Sequence, residues 1–174
     1  MKHSTFAGAL LACALLAGPA LAIDGSGDPK VAKEVDGRYF DKDGNPTFKV
    51  GSDSTVDWAT YSGFRRYHSE CHVCHGPDAE GSTYAPALKN SLKTLTYQEF
   101  YGIVVGGKQD IGAGQEKVMP AFAENKNVMC YIDDIFTYLR ARANEAIDRG
   151  RPPKHEDKPE AAAKAETACF DQKN

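Results

Sequence analysis

The sequence predicts a small, all-α domain that follows an apolar leader. Three segments, residues 55–70, 96–106 and 126–147, place apolar side chains at helical spacing. The residues between them give almost no alternating pattern of the kind that strands require. Residues 23–174, which remain after the leader, are enough for one modest core with additions at its ends.

The apolar leader, residues 1–22, is typical of a secretory signal peptide. It starts with the cation Lys2, continues with an apolar run and ends with small residues at Ala20 and Ala22. This pattern predicts cleavage after Ala22, and the run is shorter than the ~20 residues of a spanning helix. No later segment is apolar enough to cross a membrane. We therefore expect a periplasmic protein, in a compartment that oxidises free thiols.

The charged residues give no sign of a nucleic-acid partner. The formal net charge is −3, and the loss of Lys2 with the leader makes it one unit more negative. No basic run is longer than Arg65-Arg66, so the sequence lacks the basic patch that binding to phosphates requires.

Residues 23–52 are expected to form an N-terminal extension. Its turn sequence at 41–46, DKDGNP, lies between the short runs RYF and TFKV and predicts a small hairpin. Asp41 and Asp43 weakly suggest a calcium loop, but Gly44 comes too early for that pattern and no glutamate closes it. A solvated turn is the favoured interpretation.

The first predicted helix spans residues 55–70 and contains an interior glycine. Ser54 or Thr55 can cap its start. Gly63 lies inside the helical pattern at a propensity cost of ~1 kcal/mol, so we expect another backbone to approach it closely.

The second and third predicted helices are separated by a long loop. Thr96 and Glu99 form a capping box at the start of the second helix, and Gly106-Gly107 ends it. The third helix covers residues 126–147. Its apolar face comprises Val128, Tyr131, Ile132, Ile135, Phe136 and Leu139, and the positions off that face include Arg140, Arg142, Glu145 and Asp148.

Residues 149–174 form a charged, Ala-rich C-terminal tail, which its composition predicts to be mostly disordered. The tail contains Cys169, and Cys130 lies near the start of the third helix. These are the only thiols of the exported chain that lie outside the motif Cys71–His75. In an oxidising compartment we expect them to form a disulfide, with two free thiols as the alternative.

The motif Cys71–His75, CHVCH, carries the chemistry of the chain. In Cys-x-x-Cys-His sequences the two thiols form thioethers with the vinyl groups of haem, and the adjacent histidine binds the iron. Cys71 and Cys74 are therefore the attachment residues, His75 is an axial ligand and His72 is an intervening residue. A redox dithiol would need a βαβ context, and half of a zinc site would need a second ligand pair nearby.

The opposite side of the iron needs its own ligand. Met119 precedes Pro120 in the predicted loop and is the preferred candidate. Met129 begins a helix and is expected to lie in the core. His68 lies one turn before the attachment site, on the same side of the haem, and His155 lies in the tail.

Residues 57–142 resemble a class I c-type cytochrome beyond the haem motif itself. Gly63, Tyr67 and Cys71 match the first helix of that family, and Tyr138-Leu139 matches the last helix, on which the first one packs. The resemblance implies an all-α cytochrome c fold wrapped around one covalently bound haem.

The same resemblance assigns roles to two loops of the predicted domain, residues 53–148. In the stretch APAL, the Pro86 carbonyl would accept the N–H of His75, and Leu88 would contact the haem. The stretch MPAF matches the loop that supplies the ligand Met119.

Several stretches are similar to the cytochrome partners of PQQ-dependent alcohol dehydrogenases, most closely the methanol dehydrogenase of the lanthanide-dependent type. The similarity is carried by CHVCHGPDAEGSTYAPAL, VMPAF and VMCYIDDIFTYLRARANEAIDRGRP. It implies a single-haem electron carrier, not an enzyme, that accepts electrons from such a dehydrogenase and passes them to a downstream cytochrome or oxidase. The alternatives are a different quinoprotein donor, such as an ethanol dehydrogenase, and a haem enzyme or sensor with an open distal site.

Overall fold

The computed structural model describes residues 25–112 and 115–172 of the chain. Within these ranges, seven α-helices and two small antiparallel sheets surround one apolar core. The predicted signal peptide, residues 1–22, and its cleavage site after Ala22 lie outside the described residues. Among the helices of the described part, none is long and apolar enough to span a bilayer.

Helices supply most of the regular structure, and strands supply a smaller part. The helices are α1 (Trp58–Glu70), α2 (His72–His75), α3 (Leu88–Ser91), α4 (Tyr97–Gly106), α5 (Lys126–Met129), α6 (Ile132–Ala143) and α7 (Glu160–Asp171). The strands are β1 (Lys33–Val35), β2 (Arg38–Phe40), β3 (Pro46–Thr47), β4 (Lys108–Gly112) and β5 (Gln115–Met119). The expectation of an all-α fold is therefore correct for the core and wrong for the N-terminal extension and the segment that ends at Met119.

The crossing of α1 and α6 organises the core. Gly63 of α1 lies against the Asp134 carbonyl of α6, and a Cβ on Gly63 would collide with that oxygen. One turn later Tyr67 is fully buried, with its ring centroid 5.5 Å from that of Tyr138. The predicted packing of Gly63 and Tyr67 on the last helix of the core is confirmed. The interior glycine is needed because it lets two helix backbones approach closely.

Helix α1 begins later than its sequence pattern predicted. Asp57, rather than Ser54 or Thr55, is its N-cap, because Oδ1 of Asp57 accepts the Thr60 N–H at 2.9 Å. Oδ2 of the same carboxylate accepts the Lys49 N–H at 2.8 Å. The cap residue therefore also joins the first helix to the N-terminal extension.

Helix α4 begins and ends where the sequence predicted. Oγ1 of Thr96 accepts the Glu99 N–H at 3.2 Å, and Oε2 of Glu99 accepts the Thr96 N–H at 2.8 Å. The helix ends at Gly106, and Gly107 has a φ of 73°, which turns the chain towards β4.

The predicted helix 126–147 is two helices, α5 and α6. Between them Tyr131 has φ −130° and ψ 16°, which are not helical values. The predicted apolar face is buried throughout: Val128, Tyr131, Ile132, Ile135, Phe136 and Leu139. Arg140 and Arg142, which were placed off this face, are also buried, at 0% and 7% exposed. Their guanidinium groups reach acidic partners on other elements, which helical periodicity does not reveal.

The N-terminal extension folds into an antiparallel sheet with the strand order β1-β2-β3. The predicted hairpin between RYF and TFKV is confirmed by the pairing of β2 with β3. In its turn, Oδ1 of Asp41 accepts the N–H groups of Asp43 and Asn45 at 2.9 and 2.8 Å. The expectation of a solvated turn is wrong for Asp41, which is 3% exposed and paired with Arg140.

Two ion pairs hold this sheet on α6, one with its arginine on the sheet and one with its arginine on α6. Arg38 of β2 contacts Oδ1 of Asp134 on α6 at 2.8 Å. In the other direction, Arg140 of α6 contacts Oδ2 of Asp41 at 2.8 Å and donates to two backbone carbonyls of the extension. Buried charges are tolerated when they are paired and hydrogen-bonded in this way. The extension is therefore part of the folded domain rather than a free arm.

The C-terminal tail is more ordered than its composition predicted. A disulfide between Cys130 and Cys169 ties α7 to the junction of α5 and α6, as expected. Nζ of Lys126 donates to the Phe170 carbonyl at 2.9 Å, and the Phe170 ring lies 6.1 Å from the ring of Tyr131. The expectation of a mostly disordered tail is wrong because a covalent link compensates for the lack of buried side chains in α7.

The predicted loop between the second and third helices contains the β4–β5 hairpin. Its register pairs Lys108 with Met119. At its entrance, a Cβ on Gly107 would lie 2.6 Å from the Met119 carbonyl oxygen, so the chain can return close to α4 only beside a glycine. The strand sequences KQDIG and QEKVM contain few β-branched residues, and strand patterns therefore did not reveal them.

The stability of the fold should depend on pH through Asp134. Burial raises the pKa of this carboxyl from its ordinary 3.8 to about 6, against the opposing effect of Arg38. Its contribution to stability is greatest below about pH 4 and is lost as pH rises through 6, because the folded chain holds this proton more tightly. We expect deprotonation of Asp134 to lower the free energy of unfolding by about 1 kcal/mol between pH 5 and pH 7. Urea titrations should show a shallower fall for Asp134→Asn, and an equal fall in both proteins would contradict this account.

Removal of the disulfide should release α7. The two cysteines are 39 residues apart, and closing such a loop contributes about 4 kcal/mol in the chain-entropy model. The variant Cys130→Ser/Cys169→Ser should unfold at lower urea concentration, and hydrogen exchange should accelerate more in α7 than in α1. Intact mass provides the control, because reduction of the wild-type chain should add two hydrogens. An unchanged mass would rule out the bridge.

Candidate haem site

The CHVCH motif forms one tight helical turn directly after α1. Cys71 is the C-cap of α1, with its N–H bonded to the Tyr67 carbonyl at 2.9 Å. Helix α2 follows at once, and the His75 N–H donates to the Cys71 carbonyl at 3.0 Å. This geometry sets Cys71 and Cys74 one turn apart beside His75. Neither cysteine is in a disulfide, and Cys71 is partly buried whereas Cys74 is exposed.

The surroundings of Cys71 favour a neutral sulfur. Burial raises the pKa of the Cys71 thiol to about 12, and the nearby acidic groups of Glu70 and Cys74 act in the same direction. A nucleophilic dithiol lowers the pKa of its reactive thiol, and a zinc ligand must be a thiolate. The environment of Cys71 therefore disfavours a charged sulfur, whereas the sulfur of a thioether carries no charge and suits it.

The imidazole of His75 is held by one well-placed hydrogen bond. Its Nδ1 lies 3.0 Å from the Pro86 carbonyl oxygen, as the sequence predicted. A carbonyl can only accept, so Nδ1 carries the proton and Nε2 keeps its lone pair. No group in the described part of the chain hydrogen-bonds to Nε2. His75 as a whole is only 7% exposed, and the lone pair of Nε2 is available to bind a metal.

Backbone hydrogen bonds hold the loop that connects His75 to Pro86. The buried hydroxyl of Tyr67 donates to the Gly76 carbonyl at 2.6 Å, and the Gly81 N–H donates to the His75 carbonyl at 2.8 Å. The Ser82 hydroxyl donates to the Cys74 carbonyl. The motif is thus hydrogen-bonded to the following loop at the carbonyls of Cys74 and His75, and Tyr67 of α1 bonds the next residue, Gly76. Sequence reasoning missed Tyr67 and Ser82 as supports, because hydroxyl-to-carbonyl bonds across a loop leave no spacing pattern.

The remaining predicted site residues lie against the same core. Leu88 begins α3 and Met119 ends β5, and both are partly buried beside the central cluster, as is Cys71. Phe122 and Met129 are partly buried against this cluster too. The expected loop position of Met119 is wrong, since it is the last residue of a strand. All of these side chains pack against the same apolar cluster.

His68 and His155, which the sequence does not favour as iron ligands, have other partners. Nδ1 of His68 lies 2.8 Å from the Phe64 carbonyl, and Nε2 of His68 faces Asp78. The ring of His155 stacks on the ring of Tyr61 at 3.7 Å between centroids. Both imidazoles therefore serve packing and hydrogen bonding within the fold.

Comparison with known proteins agrees with this geometry. No family model matches the chain. It is 63% identical to the c-type cytochrome XoxG of Methylobacterium extorquens AM1, whose crystal structure superposes with a TM-score of 0.76 over 81% of this chain and 86% of that one. It is 52% identical over 134 residues to cytochrome c-553I of Paracoccus denitrificans, a match covering 77% of this chain and 59% of that protein.

A third relative is cytochrome c-555 of Methylococcus capsulatus (strain Bath), at 40% identity over 96 residues, which cover 55% of this chain and 72% of that protein. This chain therefore spans less than two thirds of cytochrome c-553I and most of the other two. Together, these matches and the site define the class: the chain belongs to the c-type cytochromes. The members of this family carry covalently bound haem c with its iron, and Cys71, Cys74 and His75 are the residues of this chain that would hold it.

Proposed function

We propose that this chain is a periplasmic carrier that accepts single electrons from a PQQ-dependent methanol dehydrogenase and passes them to a downstream cytochrome or oxidase. The observation that carries the proposal is the hydrogen bond from Nδ1 of His75 to the Pro86 carbonyl, beside Cys71 and Cys74. The disulfide and the apolar leader support an oxidising compartment. The donor is suggested by the resemblance of three sequence stretches to partners of such dehydrogenases.

The residues around the motif would each have a defined task. Cys71 and Cys74 would attach the haem through two thioethers, and Nε2 of His75 would bind its iron. The Pro86 carbonyl orients the imidazole and strengthens it as a donor, and Leu88 adds an apolar contact. When bound, the haem supplies reversible one-electron chemistry.

Met119 is proposed as the ligand on the other side of the iron. It ends β5, and the turn after it is fixed against α4 because the Phe122 N–H donates to the Val104 carbonyl at 3.0 Å. Met129 is the last residue of the short helix α5, where its N–H donates to the Asn125 carbonyl at 2.8 Å. A thioether at the end of a strand can be aimed across a haem, whereas the helix and core packing restrict Met129.

Separate replacement of the two methionines tests this assignment. Oxidised Met119→Ala should be high-spin or take another ligand, and it should bind cyanide readily. Met129→Ala should keep the low-spin spectrum and lose about 2 kcal/mol of stability, because it removes packed atoms. Absorption and EPR spectra, cyanide titration and urea unfolding measure these effects. If the two variants exchanged their behaviour, the assignment would be wrong.

An exposed apolar patch next to the motif suits a transient electron-transfer contact. Val73 is 74% exposed and Tyr84 is 75% exposed. Hydrogen bonds join the backbone of Tyr84 to the motif, since the Tyr84 N–H donates to Oγ of Ser82 at 3.0 Å and the Ser82 hydroxyl donates to the Cys74 carbonyl. Contacts of this kind are small, under ~1,200 Å², and exposed aromatic side chains often dominate their energy. We therefore expect the donor to dock over Val73, Cys74 and Tyr84.

Stopped-flow reduction by a PQQ-dependent methanol dehydrogenase with methanol tests both donor and docking surface. The wild-type holoprotein should be reduced rapidly and saturably. Val73→Asp and Tyr84→Asp should each lower the second-order rate constant about tenfold, which corresponds to about 1.4 kcal/mol. Val35→Asp is the matched control, because Val35 is an exposed valine on the N-terminal sheet, and it should leave the rate unchanged.

The outcomes of this experiment separate the parts of the proposal. Equal effects of all three substitutions would contradict the docking surface. Faster reduction by an ethanol-type quinoprotein would make the methanol dehydrogenase assignment wrong, while the carrier function would stand. A holoprotein that binds small ligands readily at its iron would contradict the carrier function itself.

A further inference from the structure

The turn directly after the haem motif contains two strained residues. Asp78 and Ala79 have φ values of 57° and 63°, in the left-handed region that residues other than glycine seldom adopt. Aspartate tolerates this region better than alanine does, and each such residue costs about 1–3 kcal/mol. Both residues are buried, at 7% and 0% exposed. Such a turn persists only where its surroundings hold it strongly.

The side chain of Asp78 supplies part of that support. Its Oδ1 accepts the Gly150 N–H at 2.9 Å and lies 3.5 Å from Nε2 of His68. Its Oδ2 lies 3.4 Å from Nε of Arg149. Burial opposes ionisation, but the hydrogen bonds from Gly150 and Arg149 together with His68 and Arg142 lower the pKa of Asp78 below its ordinary value. The carboxylate is therefore charged and fully engaged.

The backbone of Asp78 supplies the rest. Its N–H donates to Nε2 of His68 on α1 at 3.4 Å, and its carbonyl accepts from Nε of Arg142 on α6 at 3.2 Å. One residue thus joins the turn to α1, to α6 and to the segment that follows α6. Glu80, two residues after Asp78, adds a second link, because its carboxylate pairs with Arg142 at 2.9 Å and with Lys89 at 2.5 Å.

The position of this turn governs the hydrogen bond on His75. The turn begins the loop that ends at Pro86, whose carbonyl accepts the proton of Nδ1. Midway along the loop, the Gly81 N–H is bonded to the His75 carbonyl. Two residues after Asp78, Glu80 pairs with Lys89, which lies three residues after Pro86. A shift of the turn at Asp78 would therefore be passed on to the segment that carries the Pro86 carbonyl.

We propose that Asp78 is a positioning residue that holds the Pro86 carbonyl on His75 and thereby sets the reduction potential of the haem. The inference rests on the proposed role of His75 as axial ligand. A carbonyl acceptor on Nδ1 makes the imidazole a stronger donor and favours the oxidised iron. Loosening the loop should therefore weaken that effect and raise the midpoint potential.

Three neutral substitutions separate the causes. Asp78→Asn keeps an oxygen that can accept the Gly150 N–H, and asparagine tolerates the left-handed region. Asp78→Gly also tolerates that region but lacks the acceptor. Asp78→Ala lacks the acceptor and adds backbone strain. All three remove the same charge. Glycine and alanine both lack the acceptor but differ in backbone strain, so a change that these two share relative to asparagine reports loss of the side-chain acceptor.

Potentiometric titration and proton NMR of the oxidised holoproteins are the measurements. We expect the glycine and alanine variants to have higher midpoint potentials than the asparagine variant, and their His75 ring N–H to exchange faster with solvent. Thermal stability will fall in all three and does not distinguish them. Equal potentials in the three variants, whether shifted or not, would overturn the proposal, because charge or stability alone would then explain the result.

The same data distinguish this inference from the proposed function. A wild-type holoprotein without a low-spin spectrum of histidine and methionine ligation would contradict the ligand assignment. A wild-type protein with that spectrum, combined with equal potentials among the Asp78 variants, would overturn only the role of Asp78.

Discussion

The close approach of α1 and α6 at Gly63 is the constraint on which the rest of the structure depends. The helix backbones meet where no side chain intervenes, and the rings of Tyr67 and Tyr138 pack one turn further along. Because Cys71 ends α1, this crossing also fixes the start of the haem motif. The hydroxyl of Tyr67 then bonds the Gly76 carbonyl just beyond it. The contact between α1 and α6 thus sets the positions of α1, the haem motif and the following loop.

Buried arginines of α6 connect the N-terminal extension and the loop after the haem motif to this core. Arg140 binds Asp41 and backbone carbonyls of the N-terminal sheet, and Arg142 binds Asp78 and Glu80 in the loop after the motif. Both guanidinium groups are nearly or completely shielded from water, so each one needs these partners. Helix α6 therefore packs its apolar face into the core. The guanidinium groups on its other faces join it to the N-terminal extension and to the haem loop.

Features that a short motif, a pair of cysteines or the family resemblance indicates were predictable from sequence, whereas ion pairs between elements were not. The capping box of Thr96, the need for Gly63 and the Pro86 contact with His75 follow from short motifs or from family resemblance. The strand at Met119 was missed because its residues lack a strand pattern, and the ordered tail was missed because composition ignores its disulfide. The buried states of Asp41 and Arg140 were missed for a related reason: periodicity describes one element at a time, whereas a buried ion pair depends on two.

The account is tested most directly by a crystal structure of the haem-loaded protein, with the iron located by its anomalous scattering. We expect Nε2 of His75 and Sδ of Met119 on opposite sides of the iron, with thioethers from Cys71 and Cys74. The Pro86 carbonyl should remain on Nδ1 of His75. An iron bound by Met129 or His68, or one with an open coordination position, would contradict the account.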